Sequence, residues 1–344
     1  MSLFKKLPNN QIQCLACNNY CVIPNGKTGI CGVRQNNNGE LKLLVNNKAA
    51  AINLDPIEKK PLFHFLPGAT AFSLGTFGCN FACEFCQNWD ISQAFKIPAC
   101  AGRQDTNSWG EDWPPEKIVN YCQENNIPII AYTYNEPTVW TEYALATMKL
   151  AKKAKIKNVW VSNGYFSDQT LKLITPYLDA INIDLKSFRE DFYQNIVHAH
   201  LEPVKENIIK VWQLGIWEEV TTLIIPELND SEKELKEIAR FLVKISSDLP
   251  WHISAFYPAY KMLKTPPTPQ KTLIKAYNIG KKAGLKYVYT GNIPDNNYES
   301  TYCPKCGAKL IERWGIEMIK NNLKDSKCPK CGENIPGRFS KLTA

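Results

Sequence analysis

From about residue 70 onward, short runs of β-branched and aromatic residues alternate with longer stretches whose apolar positions recur at helical spacing. The runs are "TAFSLGTFG" (70–78), "IPIIAYTY" (127–134), "NVWVSNG" (158–164), "AINIDLK" (180–186), "VTTLIIP" (220–226), "WHISAFYP" (251–258) and "KYVYTG" (286–291). Each reads as a strand. Between them, "PPEKIVNYCQENN" opens with prolines and an early acid, as helix starts favour. "TVWTEYALATMKLAKKAK" gathers its cations at its end, which suits the helix dipole. "SEKELKEIARFLVKI" starts with Ser231 in the S-x-x-E pattern of a capping box. Such alternation predicts a parallel sheet with right-handed crossovers. Six or seven units predict an α/β fold of TIM-like form, closed or partly open, with its chemistry in the loops that leave the C-terminal strand ends. Residues 1 to about 60 are polar, Asn-rich and without sustained period, and predict a small lobe held by cysteines.

Composition changes the picture only at the cysteines. The 344 residues are 44% hydrophobic and 22% charged, which suits a large α/β domain with accessory modules. The expected boundaries are 1–65 for the N-terminal lobe, 66–298 for the α/β domain and 299–344 for a C-terminal module. A balance of 41 basic against 33 acidic residues gives +8, without the dense basic block that would demand nucleic acid. No apolar run reaches the ~18 residues of a membrane span. The start, "MSLFKKLPNNQIQC", lacks the apolar core of a signal peptide, so the expected location is the cytoplasm. Thirteen cysteines in that compartment read as metal ligands rather than disulfides. Only Cys100 and Cys122 stand outside three clusters.

The C-terminal cluster is two C-P-x-C-G knuckles, Cys303 with Cys306 and Cys328 with Cys331, separated by 21 residues. This is the ligand set of a closed four-cysteine zinc ribbon, or of a rubredoxin-like iron site. Gly307 and Gly332 are expected to let the backbone turn at the sulfurs. The N-terminal cluster, Cys14, Cys17, Cys21 and Cys31, also supplies four thiolates, for zinc first, for an auxiliary iron–sulfur cluster second, with a mixture of ligands and buried thiols as the third reading. The middle cluster, Cys79, Cys83 and Cys86, is one ligand short of a tetrahedral site. Its spacing is C-x3-C-x2-C, directly after the first run.

That spacing, with Phe85 before the last cysteine, resembles the signature of the radical S-adenosylmethionine (radical SAM) enzymes. The resemblance implies a [4Fe–4S] cluster held by three cysteines. Its fourth iron is left for the amino and carboxylate groups of S-adenosylmethionine, in keeping with the open position that catalytic metal sites retain. It also implies candidate cofactor-binding residues. Glu136 in "TYNEP" stands where activating enzymes of pyruvate formate-lyase type carry Gly-Gly-Glu-Pro, with Tyr134 and Asn135 here in place of the glycines. Asp184 and Lys186 in "DLK" match residues that hold the ribose and the methionyl carboxylate, although a salt bridge between them is the competing reading. Asn163 in "SNGY" reads either as a ribose partner or as an ordinary turn. His252 faces the cosubstrate or fills the core. Phe85 completes the set, and "TLIIPE" would present backbone to the adenine. His198 and His200 carry no usable pattern.

The N-terminal cysteines, "DPIEKKPLFHFLPGATAFSLGTFGCNFACEFCQNWDIS", "YTYNEPTVW", "HISAFYPAYKM", "KYVYTGNIP" and the C-terminal knuckles together resemble the radical SAM component of the AmmeMemoRadiSam system. This implies Memo-like and AMMECR-like partners and a low-potential electron donor, and leaves the substrate open, a macromolecule included. The expected function is reductive cleavage of S-adenosylmethionine for hydrogen abstraction. The alternatives are a glycyl-radical activating enzyme and, from another class, a zinc-ribbon nucleic-acid-binding protein without turnover.

Overall fold

The computed structural model describes residues 2–95, 109–293 and 296–339; Cys100 lies outside them. The chain forms two compact units, Met1–Asp55 with Ala71–Asp179, and Pro56–Thr70 with Ala180–Ala344. Eight strands carry the α/β part, four in each.

In the first unit these are β1 (Ala51–Pro56), β2 (Thr70–Gly75), β3 (Ile129–Tyr132) and β4 (Lys157–Ser162), in the order β4-β3-β2-β1. β3 pairs in parallel with both β2 and β4, and all four of its residues are buried. A strand covered on both faces reads as an unbroken apolar run, which is why "IIAY" was legible. The helices are α1 (Pro115–Glu124), α2 (Thr141–Lys153) and α3 (Asp168–Ile174). α1 starts on Pro115 and turns Ile118, Val119 and Cys122 inward. Cys122 is thus a core thiol, pushed up to about 12 by burial.

The N-terminal lobe carries the first four cysteines. It folds as a three-stranded antiparallel sheet (Phe4–Lys6, Ile12–Cys14, Val22–Ile23) and a hairpin (Arg34–Asn37 with Glu40–Leu43). Leu3, Ile12, Ala16 and Ile23 pack with Cys14 into a small core of their own. Those apolar residues come from strands of two or three residues and from the segments between them, too short for any period to announce them. β1 also escaped the sequence reading. Its residues, "AINLDP", are mostly half-buried or exposed, and neither alternation nor a continuous apolar run marks it.

In the second unit, β5 (Ala180–Asp184), β6 (Trp217–Ile224), β7 (Trp251–Ala255) and β8 (Val288–Gly291) run parallel in the order β8-β7-β6-β5. Their helices are α4 (Glu202–Gln213), α5 (Glu232–Ile245) and α6 (Gln270–Ala283). The capping box at α5 forms only by half. Ser231 accepts from Glu234 N at 3.3 Å, but the Glu234 carboxylate turns away, accepting from Ser187 Oγ and from Phe188 N at 2.9 Å. The tail adds a three-stranded antiparallel sheet, Thr301–Tyr302, Lys309–Trp314 and Glu317–Asn321. Its Leu310, Ile311 and Ile335 share one core with Phe63, Tyr287 and Tyr289. Among the described residues no helix is long and apolar enough to cross a membrane.

Candidate metal and cofactor sites

β2 ends at Gly75, and the chain then enters the three-cysteine loop. Asn135, which follows β3, laces the approach to Cys79. Its Oδ1 accepts from Thr76 N at 3.1 Å, while its Nδ2 donates to Thr76 Oγ1 at 3.0 Å and to Gly78 O at 2.7 Å. Tyr134 has a left-handed φ of 70°, donates its hydroxyl to Asp55 at 2.7 Å and accepts from Asn88 Nδ2 at 2.8 Å. Of the two residues that replace glycines in the resembled motif, Asn135 therefore holds the loop through its side chain, while Tyr134 meets Asn88 through its backbone carbonyl and anchors its side chain on β1. Cys79 and Cys83 are buried, Cys86 is half-buried, and none is in a disulfide. Phe81 N donates to Cys79 Sγ at 3.4 Å, and Phe85 is buried.

Asn163 meets this loop, and Glu136 stands behind Asn163. The Glu136 carboxylate accepts from Thr138 N at 3.0 Å, Thr138 Oγ1 at 2.5 Å, Ser162 Oγ at 2.9 Å and Asn163 N at 2.7 Å. Burial pushes its carboxyl above the usual range in spite of these donors. Three donors crowd Oε1 and one holds Oε2, so in this geometry Glu136 fixes the β3 and β4 ends to each other and keeps acceptor capacity on Oε2. Asn163, at the end of β4, donates from Nδ2 to Asn80 Oδ1 at 2.8 Å and accepts from Tyr165 N at 3.0 Å. Asn80 is the neighbour of Cys79. Cys79, Asn80, Asn135, Glu136 and Asn163 thus form one connected group.

The other candidates lie in the second unit. Asp184 ends β5 and pairs with Lys186 at 3.0 Å. The register sets Asp184 beside Thr221, and Thr221 beside His252, so the three share one face of the sheet. His252 is buried, with Nε2 2.6 Å from Glu219 Oε2. Glu219 also accepts from Phe63 N, His64 N and Trp217 Nε1, at 2.9, 2.8 and 2.9 Å. Burial acts against that carboxylate, yet His252 and the other donors hold it below the usual range. A carboxylate behind a histidine fixes which ring nitrogen carries the proton. Glu219 went unread in the sequence, although two acids in a buried parallel strand, "WEEV", were the available signal. His200 pairs with Glu190 at 2.6 Å on the surface.

The profile of the Radical SAM superfamily matches residues 74–242. The uncharacterized protein MJ0808 of Methanocaldococcus jannaschii is 43% identical over 312 residues, 90% of either chain. The chain belongs to the radical SAM superfamily. A putative glycyl-radical enzyme activating enzyme from the same organism, MJ1632, is 26% identical over 220 residues, covering 63% of this chain and 77% of its own. Among solved structures, a domain of pyruvate-formate lyase-activating enzyme from Bacteroides vulgatus is similar at 21% identity and a TM-score of 0.40, over 47% of this chain and 98% of that one.

Membership in the radical SAM superfamily implies an enzyme with a [4Fe–4S] cluster and S-adenosylmethionine. The residues present fit the cluster. Three thiols share one loop, and the buried Asn80 Nδ2 beside them is a donor with no partner among the described residues. Cluster sulfides are acceptors for such a group.

The C-terminal cysteines are gathered for a metal. All four sulfurs lie within 4.8 Å of one another, with Cys303–Cys331 and Cys306–Cys328 at 3.6 Å. Gly307 and Gly332 adopt the left-handed φ values of 71° and 73° expected of them, donating to Cys303 O at 3.0 Å and Cys328 O at 2.9 Å. Four thiolates leave no open position, so a metal here is closed to substrate.

Proposed function

We propose that this radical SAM protein cleaves S-adenosylmethionine reductively and abstracts hydrogen from a substrate still to be identified, with Cys79, Cys83 and Cys86 as the cluster ligands. The observation that supports this reading best is the connected group from Asn135 through Asn80 to Asn163, which holds a loop of three thiols at the ends of parallel strands. The cofactors supply the chemistry: one electron yields methionine and a 5′-deoxyadenosyl radical. The protein supplies orientation and a dry site. Asn135 and Glu136 set the loop and the strand ends, and Asp184, Lys186 and His252 are the groups proposed for the zwitterionic, ribose-bearing ligand. Phe85 is proposed beside it. The C-terminal four cysteines hold zinc or iron in a structural role.

The test is anaerobic reconstitution with iron and sulfide, reduction by dithionite, and detection of 5′-deoxyadenosine after adding S-adenosylmethionine. Product is expected. A fully loaded cluster that leaves the cosubstrate intact would favour the binding-module alternative. The likeness to MJ1632 supports a second reading, a glycyl-radical activating enzyme, whose product would be a radical on a protein backbone. The sequence resemblance to the AmmeMemoRadiSam component extends the proposal to Memo-like and AMMECR-like partners.

A further inference from the structure

We infer that a cavity beside β7 and β8 binds a planar, uncharged nitrogen heterocycle of nucleobase type, and that Trp314 of the C-terminal module is the plate on which the ring stacks. Its assignment as the substrate's ring rests on the function proposed above; the binding site itself does not.

β7 and β8 pair with His252 opposite Tyr289 and Ser254 opposite Gly291. These residues share the face that carries Asp184 and Thr221. Against that face lies a cavity of about 350 Å³, a size suited to a small molecule. Phe63 and His252 line it, their rings edge to face with centroids 4.6 Å apart. Ser254, Asn292 and the hairpin turn Trp314–Gly315–Ile316 line it further along. The cavity therefore adjoins, through His252, the group proposed for S-adenosylmethionine.

Its charges are already committed. The His252 ring meets Glu219. Glu58 accepts from Arg313 Nε at 3.3 Å and from Gly68 N at 3.0 Å. Glu299 accepts from Gly315 N at 2.7 Å, and Lys59 also has a partner. A charged ligand would find no uncommitted counter-ion here, and burying a charge requires one. The remaining polar groups are neutral. Ser254 is half-buried where the other residues of β7 are buried. Gly291 leaves its hydroxyl uncovered, since a Cβ there would stand 3.0 Å from Ser254 Oγ. Asn292, at a left-handed φ of 61°, is fixed from both ends: Nδ2 donates to Ala255 O at 3.2 Å, and its carbonyl accepts from the Tyr257 hydroxyl at 2.9 Å. A hydroxyl and a carboxamide together offer donors and acceptors, which match the mixed edge of a heterocycle. An aliphatic ligand would leave both groups unpaired, a net cost.

Trp314 supplies the flat wall. Its side chain is 53% exposed, yet the backbone on either side is pinned. Arg313 N donates to Ser300 Oγ at 3.1 Å, and its guanidinium reaches Thr301 Oγ1 at 2.9 Å and Phe63 O at 2.7 Å. Gly315 takes a φ of 60° with its N–H on Glu299. An exposed indole on a fixed support is a stacking platform, and every base has a ring face to offer it. A free nucleoside and an unpaired base of an RNA present the same ring, so the experiment has an arm for each.

Binding is measured by calorimetry on the full-length, cluster-loaded chain without reductant, using uridine, guanosine and a short unstructured RNA, with and without saturating S-adenosylmethionine. The parent should bind a nucleoside or the RNA, and the cosubstrate should not displace it. Trp314→Ala should weaken binding roughly 10- to 100-fold, the worth of one stacked base. Trp314→Phe should recover most of that loss, and Ser254→Ala should weaken binding less. Metal content and thermal midpoint are followed in each variant; Trp314 is exposed, so its variants should keep the parent's values. Tighter binding of the RNA names a macromolecule as the source of the ring, and tighter binding of a nucleoside names a free one; both support the inference. A parent that binds none of the probes, or Trp314→Ala binding as the parent does, would overturn it. Displacement by S-adenosylmethionine would also overturn it, by giving the cavity to the cosubstrate's own adenine. Base binding that persists in a loaded chain unable to cleave S-adenosylmethionine would instead count against the proposed function alone.

Discussion

Asn135 shows how a departure from a family pattern can be repaired locally. Glycine in its place would free the backbone but forfeit three hydrogen bonds to Thr76 and Gly78. Asn135→Gly should therefore cost about 1–3 kcal/mol, measured by urea unfolding, and should lower the iron retained per chain after reconstitution. Glu136 makes a sharper case. If it only bound the cosubstrate, Glu136→Gln would leave stability unchanged. With four donors on its carboxylate, the amide NH2 of glutamine must face one of them, and a loss of about 1–3 kcal/mol is expected. Unaltered unfolding together with weaker cosubstrate binding would return Glu136 to a ligand's role.

At the scale of elements, the apolar runs marked all seven strands from β2 to β8, because parallel strands buried on both faces have little room for polar residues. Their ends were less legible. Residues such as Asn135 and Asn163 leave the strand to make side-chain contacts set by tertiary structure rather than by local pattern. The cysteine spacing was legible because ligand geometry is written in sequence, while the partners of those cysteines were not. Asn80, the neighbour of Cys79, meets Asn163 across 83 residues of chain, and at the second candidate group Glu219 meets Phe63 across 156. The half-formed capping box at α5 carries a further lesson. Ser231→Ala should cost about 1 kcal/mol, the worth of an ordinary cap. Glu234→Ala should cost more, because the loop after Lys186 loses the acceptor for Ser187 and Phe188 N. Equal midpoint shifts in thermal melts would refute that ranking.

The behaviour of the whole molecule under acid should report on His64. Burial first, and the Arg313 and His252 charges after it, lower its ring to about 4, against the pull of Glu219. Its Nδ1 and Nε2 lie 2.7 Å from Pro336 O and 2.6 Å from the Tyr289 hydroxyl. The unfolded chain binds this proton near pH 6.5, and the folded chain does not until about pH 4. The associated stability is complete above about 6.5 and is lost progressively as pH falls toward 4, by roughly 3 kcal/mol in all. Urea midpoints between pH 7 and 4.5 should show that slope, and His64→Gln should flatten it.

Arg313 lies wholly buried in the tail, with Nε 3.3 Å from Glu58 and Nη2 2.7 Å from Phe63 O. Deleting the tail to obtain a minimal catalytic fragment would take Arg313 from Glu58 and strip the cover from Tyr287 and Tyr289. The C-terminal module is better regarded as a keystone than as an appendage, and shortened versions of this enzyme are poor surrogates for the intact one.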